Sequence, residues 1–513
     1  MPILPHVASI AVAVVAFALL YDPFHAGPVA FVALAPIALV FANPRIECSW
    51  RRAAFCGFAF GLVAAMAIVG PWMVAASVDY FDRGAAWSFG FTLAVNALYV
   101  ATFEAPAFLF IRLLAAAPPV LRVFGIASVW IAMEALRAAS PAGNAWALLG
   151  QALSNVPLLR EAAQFGGVWL LGWLAALSGA AIGVGLQPDI APRDALACVR
   201  IGVAAPLAMV LLALVGRLPD ADIAPLQPLR VAVVQEEIAS RDVWDPSQRM
   251  ANWNSYLADT AELRPGSVDV VVWPESAAPF LLDADADARQ KIAEVTEHID
   301  AALVLGAPRS ESVGEGRAVQ HNSVYFFRPG NPEPFTYDKR RLLPFVETSA
   351  FAGTDNAGYP YAAGSQTRTF DVHGWQLAPL VCFEGLYPEY AAEAVLAGAH
   401  VLVNLSNDAW FAGGAGPEQH FAMSRLRAAE VRRPMIRASN GGVSGVVGAQ
   451  GEVVGYPIRR QKAVRTYEIP PPPRHVTFAT RHGDWMIWLS SLVAAFCVLV
   501  ALRHVRGATP GGG

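Results

Sequence analysis

Residues 376–384, QLAPLVCFE, form an apolar run that ends at Cys382 and Glu384. Such a run predicts a buried strand. Six similar short runs rich in β-branched residues lie between 217 and 483, alternating with four helical patterns, which predicts an α/β or layered αβ domain. The predicted strands are 229–234, 268–273, 302–305, 323–327, 376–381, 400–405 and 442–447, and the predicted helices are 246–263, 284–300, 388–398 and 417–431.

The chain has a second region of different composition. Of its 513 residues, 55% are hydrophobic and 15% are charged, and residues 1–216 hold only 10 Arg and 9 Asp or Glu. This composition excludes disordered and collagen-like proteins, and a net charge of −4 offers no basic surface for nucleic acid. Eight apolar stretches have the length of membrane spans, at about 7–24, 28–43, 55–77, 87–110, 118–136, 163–186, 198–216 and 485–502. The first could instead be a cleaved signal peptide.

Arginine placement predicts how these spans are oriented, because cytoplasmic loops carry an excess of Lys and Arg. With the N-terminus inside, nine arginines fall inside and three outside: Arg45, Arg51, Arg52, Arg112, Arg122, Arg193, Arg200, Arg503 and Arg506 against Arg83, Arg137 and Arg160. We therefore expect a membrane domain at 1–216, an extracytoplasmic domain at 217–483, and a final helix with a short cytoplasmic tail at 484–513. Tethering at both ends would suit a monomer, although the sequence leaves the oligomeric state open.

Two features of the membrane half allow alternatives. Glu104 lies within the fourth apolar stretch, where a carboxylate suggests a functional site, but its place toward the inner end favours simple pairing or snorkelling. The outer loop 138–162 mixes apolar residues such as Trp146 with polar ones. It could lie along the lipid surface, or it could be an ordinary connection with an aromatic anchor.

Three residues of the αβ region form a chemical set. Cys382 is the only one of five cysteines in this region, and it stands at a strand end, where we expect its side chain to be exposed. Lys339 is one of only three lysines in a chain that otherwise uses arginine, and Glu275 follows the run VVVW directly. Each residue also has a simpler interpretation: Cys382 could be a buried thiol, Lys339 a surface charge, and Glu275 part of an ordinary turn. Taken together, a carboxylate base, an ammonium and a thiol suit acyl transfer, in which Glu takes the thiol proton, Cys attacks a carbonyl and Lys stabilises the oxyanion.

The motifs around these residues resemble a known superfamily. WPE at 273–275, YDK at 337–339 followed by LLPF, and VCFE at 381–384 are similar in order and spacing to the Glu-Lys-Cys set of the nitrilases, or carbon–nitrogen hydrolases. SNDAWF at 406–411 and QHFAMSRLRAAEVRRPMIRASNGGVSGVVG at 419–448 resemble its membrane branch, the apolipoprotein N-acyltransferases. The resemblance implies a polytopic α-helical membrane bundle joined to a nitrilase-like α-β-β-α sandwich.

The resemblance also implies roles for individual residues. Glu275 would be the general base, Lys339 the oxyanion partner and Cys382 the nucleophile that carries an acyl thioester. Supporting and substrate-binding positions would be filled by Glu347 and Glu384, which orient these groups, by Phe383, whose backbone N–H is a second oxyanion donor, and by Trp146 and Trp410 as substrate-binding aromatics. The loops after Lys339 and Trp410 would be either lids or ordinary turns.

The implied reaction transfers a fatty acyl chain from a phospholipid, phosphatidylethanolamine in particular, to the α-amine of a diacylglyceryl-cysteine apolipoprotein. It would take place at the bacterial inner membrane with the catalytic domain in the periplasm, and it would need no cofactor or metal. A membrane-tethered C–N hydrolase and a non-enzymatic lipid-binding scaffold are the alternatives. Two runs depart from the family pattern, PFVETSA at 344–350 and VVQEE at 233–237.

Overall fold

The computed structural model describes residues 3–140, 143–188, 190–218, 222–313, 318–344, 346–348, 361–411 and 413–508. The chain divides into two compact units. The helical unit comprises residues 1–74, 85–218 and 482–513, and the αβ unit comprises residues 75–84 and 219–481. Residues 75–84, which the sequence analysis placed in the membrane domain, therefore group with the αβ unit.

Within the described residues, six helices of the helical unit are long and apolar enough to cross a membrane. They are Trp50–Ile68, Ala85–Leu114, Pro119–Ala139, Ala163–Gly185, Pro192–Gly216 and Trp485–Arg506. The first two predicted stretches form shorter apolar helices, Leu4–Leu19 and Gly27–Phe41. Pro23 and Pro28 stand where the first helix would have to continue, and proline interrupts helical hydrogen bonding. The count of eight spans stays a prediction.

The third predicted stretch is divided in the structure. Its helix starts at Trp50 because the Ser49 side chain accepts a hydrogen bond from the Arg52 N–H and caps it. It ends at Ile68, and a separate helix, Gly70–Phe81, follows. The helix Ala163–Gly185 is the most buried of the six, and Gly183 lets it approach a neighbour closely. A Cβ on Gly183 would lie 2.3 Å from the Ala35 carbonyl oxygen.

Of the two alternatives for residues 138–162, a segment lying along the lipid surface is not observed. The described part of this segment forms the short helices Leu149–Asn155 and Pro157–Arg160 within the helical unit. Several of its apolar side chains are buried: Leu148, Leu149 and Leu153 are 0% exposed, and Trp146 is 7% exposed, whereas Leu158 and Leu159 are partly exposed. Burying these side chains against the bundle removes them from lipid and solvent alike, so the segment is part of the core.

The αβ unit contains two six-stranded sheets in its described residues. The strands are β1 Leu229–Gln235, β2 Val270–Val272, β3 Ala302–Ser312, β4 Ala318–Phe327, β5 Phe335–Asp338, β6 Phe370–Val372, β7 Trp375–Val381, β8 Val401–Asn407, β9 Met435–Asn440, β10 Val443–Val447, β11 Val453–Arg459 and β12 Ala463–Ile469. The strand orders are β12-β1-β2-β3-β4-β5 and β11-β10-β9-β8-β7-β6. β1, β2 and β3 are parallel, as are β7, β8 and β9, with antiparallel strands at the edges.

The layers of this unit follow from which faces are buried. One apolar core, containing Val231, Val272, Leu377 and Val403, packs the two sheets face to face. The helices Arg249–Ala261 and Ala286–Ile299 cover the outer face of the first sheet, and Pro388–Leu396 and Gly416–Val431 cover that of the second. This confirms the predicted α-β-β-α sandwich, and it confirms the seven predicted strands and four predicted helices. It adds five strands that were not predicted: β5, β6, β9, β11 and β12.

Candidate active site

Three strand ends supply the predicted chemical residues. Glu275 follows β2 after Trp273 and Pro274, Lys339 follows β5 directly, and Cys382 follows β7 directly. Gly306 of β3 leaves space for the Glu275 backbone, because a Cβ on Gly306 would lie 2.6 Å from the Glu275 Cα. β2 and β5 belong to one sheet and β7 belongs to the other, so the three residues come from strand ends of both sheets.

Lys339 is buried and paired, so it is not the surface charge that its two arginine neighbours allowed. It is 1% exposed, and its Nζ lies 3.0 Å from the Glu347 carboxylate and 3.4 Å from Glu275 Oε1. Burial alone would lower its pKa, but the charges of Glu347 and Glu275 outweigh burial and raise it. Lys339 is therefore an ammonium held between two carboxylates.

The two carboxylates are joined by an asparagine that the sequence analysis did not identify. Asn322 Nδ2 donates to Glu275 Oε1 at 2.7 Å and to Glu347 Oε1 at 2.8 Å. Backbone groups fix the other oxygens, since the Asn407 N–H donates to Glu275 Oε2 at 3.0 Å and the Leu343 N–H donates to Glu347 Oε2 at 2.6 Å. The position of each carboxylate is thus set from both sides.

The environment of Glu275 prepares it to accept a proton. Burial raises its pKa, and the negative charge of Glu347 acts in the same direction. The Lys339 ammonium and the hydrogen bonds from Asn322 and Asn407 oppose this rise. A carboxylate with a raised pKa is a stronger base than an ordinary glutamate, which suits general base catalysis.

Cys382 stands at a strained turn where β7 ends, and it is the first residue of a short 3₁₀ helix, Cys382–Leu386. Its φ is +48°, an unusual conformation for a residue with a side chain. The expectation that it is exposed is wrong, because it is 6% exposed and packs against the core between the sheets. Burial and the charge of Glu275 raise its pKa, while Lys339 lowers it. Cys382 is therefore a thiol at neutral pH, and reaction requires a base.

Glu384 connects the segments that carry Lys339 and Cys382. It is 0% exposed, and its Oε1 accepts the Arg340 N–H at 2.6 Å and the Arg341 N–H at 3.2 Å. Its Oε2 accepts the Val381 N–H at 2.7 Å. Burial raises its pKa. One carboxylate thereby ties the residues after Lys339 to the residue before Cys382.

A second buried network surrounds the Cys382 carbonyl, and it too was missed. His420 Nε2 donates to this carbonyl at 3.3 Å and Asn404 Nδ2 donates to it at 3.4 Å. Asp408 accepts hydrogen bonds from Arg437 at 2.7 Å and from Ser406 Oγ at 2.7 Å. Apart from Asn404, these residues lie in the runs SNDAWF at 406–411 and QHFAMSRLRAAEVRRPMIRASNGGVSGVVG at 419–448, but nothing in their local pattern shows that they form one network.

The remaining predicted residues are placed as follows. Phe383 is the second residue of the 3₁₀ helix, where a backbone N–H has no partner within the helix itself. Trp410 lies two residues after Asp408 and stacks on Phe411, with ring centroids 4.2 Å apart. Trp146 belongs to the helical unit. In the two proposed lid loops and the PFVETSA run, residues 345, 349–360 and 412 lie outside the described residues.

Among the described residues, one group of side chains has the spacing of a metal site, comprising Glu311, His321 and Asp338. A cation is already present there, because Arg309 Nη2 lies 2.8 Å from both Glu311 Oε2 and Asp338 Oδ2. The guanidinium satisfies these carboxylates, so the group is better described as an ion-pair network.

Comparison with known sequences identifies relatives of both units. The carbon-nitrogen hydrolase family matches residues 230–472, and the apolipoprotein N-acyltransferase N-terminal domain matches residues 13–181. An apolipoprotein N-acyltransferase of Azotobacter vinelandii is 31% identical over 95% of this chain and 93% of its own. One from Pseudomonas aeruginosa is 30% identical over 94% and 93%, and one from Geobacter metallireducens is 28% identical over 93% and 91%.

Proposed function

The chain belongs to the apolipoprotein N-acyltransferase family, and from this membership we propose that Glu275, Lys339 and Cys382 carry out a two-step acyl transfer. The family acts in lipoprotein maturation, with a phospholipid as the acyl donor and a lipoprotein as the acceptor, in a multi-pass protein of the bacterial inner membrane. One observation carries the assignment of these residues: a buried ammonium, a base with a raised pKa and a thiol at a strained turn lie at three strand ends of one unit.

In the first step, the phospholipid ester transfers its acyl group to Cys382. Glu275 takes the thiol proton as Sγ attacks the ester carbonyl, forming a tetrahedral oxyanion. The Lys339 ammonium and the Phe383 backbone N–H stabilise this oxyanion. When the oxyanion collapses, the ester C–O bond breaks, the proton on Glu275 passes to the leaving alkoxide, and a lysophospholipid departs.

In the second step, the free α-amine of the lipoprotein's N-terminal diacylglyceryl-cysteine attacks the thioester. Glu275 accepts a proton from the attacking amine, and the same two donors stabilise the second oxyanion. The C–S bond then breaks, an amide forms, and the Cys382 thiolate regains the proton. One base therefore serves both half-reactions, as a ping-pong scheme requires.

The other predicted residues position this set. Glu347 holds Lys339 in place and shares Asn322 with Glu275, and Glu384 fixes the segments that carry Lys339 and Cys382. Trp410 contributes an aromatic surface beside the site, and Trp146 contributes one in the helical unit. Phosphatidylethanolamine is the proposed donor, the αβ unit is proposed to face the periplasm, and the protein is proposed to act as a monomer.

A single-turnover assay separates this function from that of a membrane-tethered hydrolase. The protein is first acylated in detergent with radiolabelled phosphatidylethanolamine and then freed of excess lipid. A diacylglyceryl-cysteine peptide is added, and the same peptide with an acetylated α-amine is the matched control. We expect the free amine to accelerate loss of the label from protein by at least about 100-fold, with the label recovered as amide. Equal loss to water in both samples would indicate the hydrolase.

A further inference from the structure

The helical unit contains a cavity with charged walls. It contains about 460 Å³ of empty space, part of which is open to the outside, and its walls include the aromatic rings of Phe17, Phe60 and Trp130. Glu104, Glu134 and Arg137 also line it. These three side chains are 6%, 3% and 4% exposed, respectively. Ionisable groups buried within membrane helices are costly, and they are retained where they bind or transport something.

Of the two carboxylates of this cavity, Glu134 is hydrogen-bonded through one oxygen only. Glu134 Oε1 accepts hydrogen bonds from Trp130 Nε1 at 3.1 Å and the Leu149 N–H at 2.9 Å. Its Oε2 is buried without a hydrogen-bond partner in the described part of the chain. Glu104 likewise makes no hydrogen bond or ion pair with the residues that the structure describes, so the expected pairing or snorkelling is not observed.

Arg137 is the cationic side chain among the described residues that line the cavity, and it does not contact either carboxylate directly. Arg137 donates through Nη1 to the Trp146 carbonyl oxygen at 3.1 Å, and within the described residues it forms no ion pair with either glutamate. Two carboxylates and one guanidinium leave an excess of one negative charge when all three are ionised. A buried excess of negative charge is stabilised when a cationic ligand pairs with it.

The backbone is also adapted to place Glu104 at the cavity. The helix that carries it is preceded by a π-helical turn, Ala97–Ala101, which ends three residues before Glu104, and such turns are frequent at functional sites. Gly61 on the neighbouring helix provides the space, because a Cβ there would lie 2.7 Å from the Glu104 Cγ. These features favour a built site over an accidental void.

We propose that this cavity binds the primary ammonium of a membrane-anchored amine. An ammonium offers three N–H donors to the two carboxylates, and the aromatic walls favour a cation and the chain attached to it. The proposed function supplies two sources of this chemistry, the ethanolamine head group of the donor lipid and the α-amine of the acceptor. The inference rests on that function for its ligands, but the cation site itself is argued from the cavity.

Binding to full-length Cys382→Ala protein in detergent tests the inference without any chemical step. The probes are phosphatidylethanolamine against its N-acetyl derivative, and a diacylglyceryl-cysteine peptide against its N-acetyl derivative. We expect the free amine of at least one pair to bind about tenfold or more tightly than its acetylated form. The pair that shows this preference identifies the source, and a preference in both pairs means that the site accepts either amine.

The variant Glu104→Gln should abolish the preference, as should Glu134→Gln. Glu104→Gln is the more informative of the two, because Glu104 has no hydrogen bond whose loss would disturb folding. Glu47→Gln is the matched control, since Glu47 is exposed in the same unit, and it should keep the preference. The inference is overturned if neither acetylated probe binds more weakly, or if the preference survives in both cavity variants. Acylation of the unmodified Cys382 protein, measured separately, reports on the proposed function alone.

Discussion

At the residue scale, the active site depends on how three charged groups are coupled. Lys339 lies between Glu275 and Glu347, and Asn322 donates to both carboxylates. Each carboxylate raises the pKa of the ammonium, and Glu347 also raises the pKa of Glu275. The strength of the base therefore depends on a residue that need not touch the substrate.

The pH dependence of acylation tests this coupling. The base form of Glu275 is lost as the pH falls through its pKa, and burial and Glu347 raise that pKa above the ordinary value of 4.5. In a plot of acylation rate against pH, we expect the midpoint of the acid limb to lie above pH 4.5. Glu347→Gln removes a nearby negative charge, so the limb should move to lower pH while the rate falls. A limb that moves to higher pH, or does not move, would show that Glu347 does not act on the base.

The shape of the lysine site leads to a second prediction. Lys339 is 1% exposed and contacts carboxylates on two sides, so the broader guanidinium of Lys339→Arg cannot occupy the same point. We expect the acylation rate to fall by at least about 100-fold, as when an oxyanion donor is removed. Lys291→Arg, which changes a lysine on the helix Ala286–Ile299, is the control. A near-normal rate for Lys339→Arg would remove Lys339 from the mechanism.

The sequence was sufficient to predict Glu275, Lys339 and Cys382, because each follows a recognisable strand and the set has a chemical logic. The sequence was not sufficient to predict the role of Asn322 or the hydrogen-bonded network of Asp408, His420 and Arg437. Their roles depend on partners 12 to 47 residues away in the chain. Polar residues in a buried strand carry no local sign of which partner satisfies them.

At the scale of elements, Glu384 links two strands of different sheets. Its carboxylate binds backbone N–H groups after β5 and at the end of β7, and Tyr337 Oη donates to it at 2.9 Å. The relative position of Lys339 and Cys382 therefore depends on one buried side chain.

Glu384→Gln should weaken both folding and catalysis. The amide replaces an acceptor oxygen by a donor that faces other N–H groups, and an unsatisfied buried group costs about 1–3 kcal/mol. We expect the free energy of unfolding to fall by that amount and the acylation rate to fall with it. Glu393→Gln, which alters an exposed partner of Arg340, should change neither measurably. Equal stability of the two variants would show that Glu384 does not join the strands.

The unpredicted strands have physical reasons for being missed. β9, MIRASN, is fully buried although half of it is polar, because Arg437 and Asn440 find partners on other elements. β11, in contrast, is an edge strand, and several of its residues are exposed. Neither has the alternating or continuous apolar pattern that identifies a strand in sequence.

At the scale of the whole molecule, composition predicted the division between an apolar helical region and a charged αβ region. It could not predict that residues 75–84 group with the αβ unit, or that much of residues 143–162 is buried in the helical unit. Both depend on tertiary packing, because an amphipathic segment can bury its apolar side against protein as readily as against lipid.

The proposed orientation gives a labelling prediction. The native cysteines are buried, so a cysteine introduced at an exposed position is the one expected to react with a membrane-impermeant maleimide. Glu262→Cys in the αβ unit should be labelled in cells whose outer membrane has been permeabilised. Arg503→Cys near the end of the last helix should be labelled only after the inner membrane is disrupted. The reverse pattern would place the αβ unit in the cytoplasm.

The most direct test of the central claim is intact mass spectrometry of the purified protein after incubation with phosphatidylethanolamine. The account predicts an added mass of one acyl chain, located on Cys382 by peptide mapping, removed by hydroxylamine and absent from Cys382→Ala. This variant should remain folded, because loss of one sulfur from the core costs only about 1 kcal/mol. An unmodified Cys382, or the same adduct in folded Cys382→Ala, would contradict the thioester mechanism.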